Sequence, residues 1–565
     1  MYSKVFNRFQ LNSYRRCAVV NPIQKFSLAF GLGILALLSA IPALGAERIK
    51  FFYPPFGEFS ISVEDLELFA EEGTITDEFA FYANRATPEQ LAELREVLQQ
   101  RFQVSPITIS RFTKTPIGET VLERLGRVIK ADINQNGFYP LRGALILAAA
   151  DPEGLTIINI LREFPLETIW LDLPLSLQAI QEVSRLFGER DAVIDAIQQQ
   201  AAEVTPNLPL DFSTQPDLER SGSIRWRQET LTFINPNREE PVPADIYLPI
   251  FPNQTQESVP VIVISHGVAS NRTTFAYLAQ HLASYGFAVA VLEHPDTSAE
   301  KFERFLAGFD RPPEPTTFIN RPLDIKYLLD ELQKQPQFDP VWQGRLNLQQ
   351  VGVIGQSLGG YTVLAAGGAE LNLEQLRQDC AEAAADTLSF NLSLLVQCRA
   401  TDLPPATYNL QDERIKAVLA INPLSSSIFG EEGLSQIEVP LMIVASGDDV
   451  FAPPVSEQIY PFTWLTNSEK YLVVLEEGTH FSFLGGKGEG VFPIPPELIG
   501  PDPSLARPLL SALSTAFFKT YLTNQLRYLP YLSQSYVRTI SGDSFNLTLV
   551  ESLTETEIEQ AMEQE

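Results

Sequence analysis

The pentapeptide Gly355-Gln356-Ser357-Leu358-Gly359 carries the residue types of a serine nucleophile. The β-branched segment 351–354 before it predicts a strand, and the small apolar segment 361–366 after it predicts a helix. A sharp strand-to-helix turn needs small neighbours and pushes the serine hydroxyl out at the carboxyl end of the sheet. This context predicts Ser357 as a nucleophile. The alternative is a glycine-rich turn with an incidental serine.

A base should follow such a serine in chain order, after an acid. The chain has four histidines, and only His480 follows Ser357. His480 comes shortly after the apolar segment 471–475, which predicts a strand. A loop at the carboxyl end of a strand is where a base could reach the serine, so we predict His480 as the general base. The alternative is a surface histidine.

The acid should lie between these two residues. The apolar segment 439–445 predicts a buried parallel strand, and Asp448 and Asp449 follow it closely. Asp449 stands four residues before Pro453, which resembles the position of the acid in many hydrolases and therefore favours Asp449, with Asp448 as the alternative. Its carboxylate would hold the imidazole tautomer that accepts the serine proton. Either aspartate could instead cap the following turn.

An oxyanion hole would complete the chemistry. The segment 260–265 predicts a buried strand that ends at His266-Gly267-Val268. We predict the backbone N–H groups of Leu358 and Val268 as donors, each typically worth ~3 kcal/mol of transition-state stabilisation. His266 is then a structural loop residue, and His294 is expected near the pocket. No ligand cluster with familiar metal spacing accompanies them, so we expect neither metal nor cofactor.

Residues from about 223 to 535 resemble the α/β-hydrolase fold. The segment 261–296 is similar to esterases and lipases of the platelet-activating-factor acetylhydrolase type. The resembling residues are Ser265-His266-Gly267, Ala283-Ser284-Tyr285-Gly286-Phe287 and Glu293-His294. The resemblance implies a serine hydrolase of carboxylic esters that acts on lipid or short acyl esters.

One position departs from that family, which places its acid after the strand following the nucleophile helix. Here that strand, 417–421, is followed by Asn422, which cannot supply a charge. An acid one strand further on, at Asp449, resembles the cutinase and dienelactone-hydrolase branches. Dienelactone hydrolases use a cysteine nucleophile, whereas this chain has a serine. The same residues could also serve a peptidase or amidase, or a non-catalytic binding module of this fold.

Charge and composition restrict the partners. The chain has 565 residues and a formal net charge of −29, from 70 acidic and 41 basic residues. Such a charge argues against nucleic acid and anionic lipid as partners, and it favours neutral esters. We expect a small-molecule ester or lipid substrate and allow a transient membrane contact. The sequence leaves the oligomeric state open.

The amino terminus predicts export. Residues 1–46 combine a basic start with an apolar stretch ending in Pro42-Ala43-Leu44-Gly45-Ala46, which is typical of a cleaved signal peptide. The alternative is an uncleaved membrane anchor. After cleavage the chain keeps Cys380 and Cys398, and an even pair in an oxidising compartment predicts one disulfide. Two free buried thiols are the alternative.

We expect an α/β protein, in which an α/β-hydrolase fold follows a mainly helical amino-terminal domain. The sheet should be mostly parallel with helices on both faces. The segment 47–202, whose helices should start at Ser62 and Thr87, resembles an uncharacterised domain that precedes hydrolases in cyanobacterial proteins. The further predicted units are a linker at 203–222, the hydrolase at 223–540 with an insertion at 367–411, and a tail at 541–565.

The insertion and the segment 528–536 are the candidates for an active-site cover. Both carry apolar residues, such as Leu388 and Phe390 in the insertion. Lids in this fold are commonly built from such additions. We expect at least one of them to line an apolar pocket over Ser357. The alternative is that both cover only the outer surface.

Overall fold

The computed structural model describes residues 45–204, 211–251, 258–334, 345–385, 391–485 and 496–563. The predicted signal peptide therefore lies outside the described residues, apart from its last two positions. In the part of the chain described, no helix is long and apolar enough to cross a membrane.

The amino-terminal part combines a small sheet with helices. The strands β1 to β4, in the sheet order β2-β1-β4-β3, are Arg48–Tyr53, Gly57–Ser62, Ile129–Lys130 and Thr168–Leu171. The helices α1 to α8 are Val63–Glu72, Ala80–Ala83, Pro88–Gln99, Pro106–Phe112, Pro116–Val128, Phe138–Ala148, Ile157–Arg162 and Leu173–Val204. Ser62 and Thr87 cap α1 and α3 as predicted, because each side chain accepts a backbone N–H of the first turn. The sequence patterns did not predict the small sheet.

The second part is built on a nine-stranded sheet. Its strands β5 to β13 are Arg225–Phe233, Val242–Ile250, Val259–Ser265, Ala288–Leu292, Leu346–Gln356, Ile415–Ile421, Leu441–Ser446, Lys470–Leu475 and Leu547–Val550. The sheet order is β13-β12-β11-β10-β9-β7-β8-β6-β5. The six strands from β12 to β8 run parallel, and an antiparallel hairpin and the antiparallel β13 flank them.

Helices cover both faces of this sheet. The helices α9 to α20 are Ala276–Ser284, Ala299–Ala307, Thr317–Lys334, Leu358–Gly367, Leu373–Ala385, Leu392–Gln397, Ser426–Leu434, Tyr460–Thr463, Pro496–Ile499, Pro503–Thr523, Gln534–Ile540 and Glu555–Met562. Strand β7 shows how the layers form, since Val261 and Val263 face one core and Ile262 and Ile264 the other. Burial on both faces explains the continuous apolar runs of the parallel strands.

Three segments at the ends of the predicted units pack on the large sheet. Helix α8 extends past residue 202, and its residues Val193 and Ile197 pack in the core of that sheet. Leu218 of the predicted linker is fully buried in the core on the opposite face. Within the predicted tail at 541–565, β13 pairs with β12 and buries all four of its side chains.

The insertion is held to its surroundings by polar contacts and is cross-linked internally by one disulfide. Cys380 of α13 is bonded to Cys398, with Cα atoms 5.7 Å apart, which is the predicted pair. Arg124 of α5 donates to the Ala383 carbonyl at 2.5 Å. Gln397 of α14 donates to the buried carboxylate of Glu457 at 3.0 Å. The insertion thus joins the amino-terminal part to the loop that follows β11.

Removing this disulfide should destabilise the insertion. The bond joins residues 18 positions apart, and closing a loop of that size is worth ~3 kcal/mol in the chain-entropy model. We expect the double variant Cys380→Ser/Cys398→Ser to unfold at a lower urea concentration than the wild type. Two native thiols that titrate in the oxidised wild-type protein would contradict the pairing.

Candidate active site

Ser357 lies in a strained turn between β9 and α12. Its φ of 58° and ψ of −123° are unusual for a residue with a side chain. The Ser357 N–H donates to the Ile421 carbonyl at 2.9 Å, which ties the turn to β10. Ser357 is buried, with 8% of its surface exposed. Strain of this kind persists where the surroundings over-determine it, and it is common at active sites.

The two glycines of the pentapeptide are required by close backbone contacts. A Cβ on Gly355 would lie 1.9 Å from the Gly359 carbonyl oxygen. A Cβ on Gly359 would lie 2.1 Å from the carbonyl oxygen of Ser265, at the end of β7. The predicted need for small neighbours is therefore met, and the elbow packs directly on the strand that leads to the predicted oxyanion loop.

His480 and Asp449 form a buried pair beside this turn. His480 Nδ1 lies 2.6 Å from Asp449 Oδ2. The other oxygen of Asp449 accepts the N–H groups of Phe451 and Ala452, both at 2.8 Å. Gln356, next to the serine, donates to the His480 carbonyl at 3.2 Å. These bonds fix the carboxylate and bring the histidine loop to the nucleophile turn.

The other candidate acids have different partners. Asp448 accepts a hydrogen bond from Arg190 of α8 at 2.8 Å, and half of its side chain is exposed. Asn422 is buried at the end of β10, where it exchanges two hydrogen bonds of 3.0 Å with Ser446. The carboxylate that contacts the His480 ring therefore belongs to Asp449, and Asn422 ties two strands together.

The loop after β7 lies against the serine. A Cβ on Gly267 would be 3.2 Å from Ser357 Cβ, so this backbone passes directly beside the nucleophile. The Ala269 N–H donates to the Thr297 carbonyl at 2.9 Å and is thereby occupied. Leu358 is the first residue of α12, so its N–H has no acceptor within the helix. This geometry is compatible with the N–H groups of Val268 and Leu358 as the two donors.

His266 and His294 are buried behind this loop. His266 Nε2 accepts the His294 N–H at 3.0 Å, so its Nδ1 carries the hydrogen and donates to the Gly267 carbonyl at 2.6 Å. Burial and the nearby Arg321 charge lower the pKa of both rings well below the usual value. His266 is structural, as expected. His294, expected near the pocket, has a completely buried side chain that lies behind the same loop.

Apolar side chains surround the histidine. Phe451 and Phe481 pack against the His480 ring, with centroid distances of 5.7 and 5.4 Å. Val268, in the loop after β7, is 37% exposed, and Val450, next to Asp449, is 51% exposed. Apolar side chains thus lie against the His480 ring, which suits a neutral acyl or alkyl group.

The two segments expected to cover the site have contacts elsewhere. Tyr531 packs against Phe212 and donates to the Pro216 carbonyl at 2.9 Å, on the linker side. A cavity of about 610 Å³ beside the insertion is lined by Leu373, Arg377 and Glu432, among others, and does not include Ser357. Leu388 and Phe390 lie outside the described residues.

Among the residues described, no group of acidic, histidine or cysteine side chains could hold a metal ion.

Sequence reasoning missed the polar residues of α11. Thr317, Asn320, Arg321 and Asp324 are all at least nine-tenths buried. Their spacing of i, i+3, i+4 and i+7 places them on one helix face. Polar residues at the spacing that is usual for the buried face of a helix were the signal that could have identified them.

Acid should destabilise the fold through His281. Burial lowers the pKa of His281 to about 4, whereas an unfolded chain gives about 6.5. The unfolded state binds the proton first as the pH falls. The contribution of His281 to the free energy of unfolding is therefore fully present above about pH 6.5 and is lost progressively down to about pH 4. At pH 5 the loss amounts to ~2 kcal/mol. The free energy of unfolding, measured with urea at pH 7.5 and 5.0, should decrease more for the wild type than for His281→Gln. Equal drops would contradict this assignment.

Two families of known proteins match parts of the chain. Residues 45–172 match a family described as an alpha/beta hydrolase of unknown function, DUF1400. Residues 242–308 match the family of platelet-activating factor acetylhydrolase, isoform II. Neither match reaches Ser357, Asp449 or His480, although the second includes the loop at Gly267. The cyanobacterial resemblance of the amino-terminal part gains no support from them.

A curated relative matches a short segment. Platelet-activating factor acetylhydrolase from Canis lupus familiaris is 48% identical over 48 residues. The match covers 8% of this chain and 11% of that protein. Together with the doubly covered, mostly parallel sheet, the matches support membership of the α/β-hydrolase superfamily.

Proposed function

We propose that this chain hydrolyses carboxylic esters through Ser357, His480 and Asp449. The observation that carries the proposal is the 2.6 Å contact between His480 Nδ1 and Asp449 Oδ2, on a loop tied to the strained serine turn. An Nδ1–H directed at the carboxylate leaves Nε2 free to take a proton. This is the tautomer that a serine hydrolase requires.

The reaction follows from these roles. His480 takes the proton of Ser357 as the hydroxyl oxygen attacks the acyl carbon, and the C=O electrons move to oxygen. The N–H groups of Leu358 and Val268 stabilise the oxyanion. His480 then donates its proton to the leaving alcohol as the ester bond breaks. Water repeats the sequence on the acyl-enzyme, which releases the acid and restores the serine.

The substrate we propose is a neutral ester with an apolar group. Phe451 and Phe481 beside the histidine supply apolar contact, and the net charge of −29 disfavours strongly anionic substrates. The family matches support a small ester or lipid of the kind that acetylhydrolases cleave.

Export of the enzyme is supported by the disulfide, since such bonds persist in oxidising compartments.

A series of p-nitrophenyl esters from acetate to dodecanoate tests this function, with matched p-nitroanilides as amides. We expect turnover of the esters and little turnover of the amides. Faster cleavage of the amides would favour a peptidase or amidase. No turnover of either class would favour a binding module.

A further inference from the structure

Arg321 is a fully buried cation that the reaction scheme does not use. Its guanidinium donates from Nε to Thr362 Oγ1 at 3.0 Å and from Nη1 to Thr297 Oγ1. Its Nη2 donates to the carbonyl of His266 and to Ser265 Oγ, the latter at 3.2 Å. Burial lowers its pKa to about 9, which leaves the group charged at neutral pH. A buried charge is costly unless it is well paired, so this arrangement calls for an explanation.

The acceptors of Arg321 belong to the backbone segments that carry the two predicted oxyanion donors. The Thr362 hydroxyl donates to the Leu358 carbonyl at 2.7 Å, on the residue whose N–H is one donor. The His266 carbonyl lies two residues before Val268, whose N–H is the other. Thr297 also holds this loop, because its carbonyl accepts the Ala269 N–H. One rigid guanidinium therefore links both sides of the oxyanion hole.

A polar network holds the guanidinium from behind. The Asp324 carboxylate accepts a hydrogen bond from Arg238 at 2.8 Å and another from His294 Nδ1 at 2.7 Å. His294 Nε2 in turn lies 2.9 Å from Ser265 Oγ. Ser265, His294 and Asp324 thus have the connectivity of a catalytic triad, but all three are completely buried and no substrate can reach them. Their role is structural, and they fix one of the hydroxyls that Arg321 contacts.

We propose that Arg321 is a positioning residue that sets the relative placement of the Leu358 and Val268 N–H groups. This inference rests on the proposed function. The planar fork of arginine suits it, since its donors have a fixed geometry that lysine cannot reproduce. Oxyanion donors act only at the correct distance from the developing charge, so small displacements lower the turnover rate.

The variants Thr362→Val and Thr297→Val test the role, because each removes one acceptor of Arg321 and leaves the buried charge in place. We expect each to lower kcat for a p-nitrophenyl ester by ~10-fold with little change in KM. Thr362→Ser and Thr297→Ser restore the hydroxyls and should return kcat to within about twofold of the wild type.

Thr520→Val is the matched control. Thr520 is also a buried helical threonine, 3% exposed, that donates to the carbonyl four residues earlier, at 2.9 Å. It lies in α18, on the opposite face of the sheet, and its loss should leave kcat unchanged. If both test variants keep wild-type kcat while Ser357 still reacts with a fluorophosphonate, Arg321 is not a positioning residue. If wild-type Ser357 does not react, the proposed function fails, and the positioning role fails with it.

Discussion

Replacing Ser357 with alanine should lower kcat for ester hydrolysis by ~10⁶-fold, because no other group can form the acyl-enzyme. Alanine removes the hydroxyl and adds no atom to this crowded turn, in which Ser357 has a positive φ. We expect the variant to fold and to retain substrate binding. Initial rates with a p-nitrophenyl ester, together with circular dichroism, would measure both effects.

Ser514→Ala provides the control for this loss. Ser514 is a completely buried serine of α18 that donates to the Leu510 carbonyl at 2.6 Å, far along the chain from the elbow. Its replacement should leave kcat within about twofold of the wild type. Ester hydrolysis by Ser357→Ala at more than a tenth of the wild-type rate would exclude Ser357 as the nucleophile.

Asp449→Asn should lower kcat by ~10⁴-fold, since an amide beside His480 Nδ1 favours the wrong imidazole tautomer. The substitution keeps the size of the side chain. Its oxygen can still accept the N–H groups of Phe451 and Ala452, so the turn should remain intact. The measurement is kcat for a p-nitrophenyl ester at a pH where the wild type is fully active.

Asp448→Asn is the matched comparison at the neighbouring position. It changes only a half-exposed carboxylate that is paired with Arg190, so kcat should stay near the wild-type value. The reverse pattern, with Asp448→Asn inactive and Asp449→Asn active, would show that the acid is Asp448. Loss of activity in both variants would indicate a requirement for the turn rather than for one carboxylate.

The residues of the candidate site could largely be predicted from the sequence because their signals are local. The elbow needs glycines at fixed positions around Ser357, and a parallel strand reads as a continuous apolar run. The spacing of Asp449 to Pro453 distinguished two adjacent aspartates, and the structure places the Asp449 carboxylate at the His480 ring. These features depend on a few neighbouring residues and not on the rest of the fold.

Other features depend on partners distant in the chain, and these could not be predicted. Strand β13 is short and pairs with β12, which lies more than seventy residues earlier. The carboxyl half of helix α8 packs in the core of the large sheet, whose strands all come later in the chain. Arg321 looks like an ordinary helical arginine until the fold brings Thr297 and Thr362 to it. Tertiary packing, not local propensity, determines these placements.

Covalent labelling of the purified protein with a fluorophosphonate, followed by peptide mass mapping, tests most directly whether Ser357 is the nucleophile. We expect a single adduct on Ser357 in the wild type, slow labelling in Asp449→Asn and none in Ser357→Ala. Labelling requires an activated serine and does not depend on knowing the natural ester. An adduct on a different residue, or no adduct in a folded protein that hydrolyses esters, would contradict the assignment of Ser357 as the nucleophile.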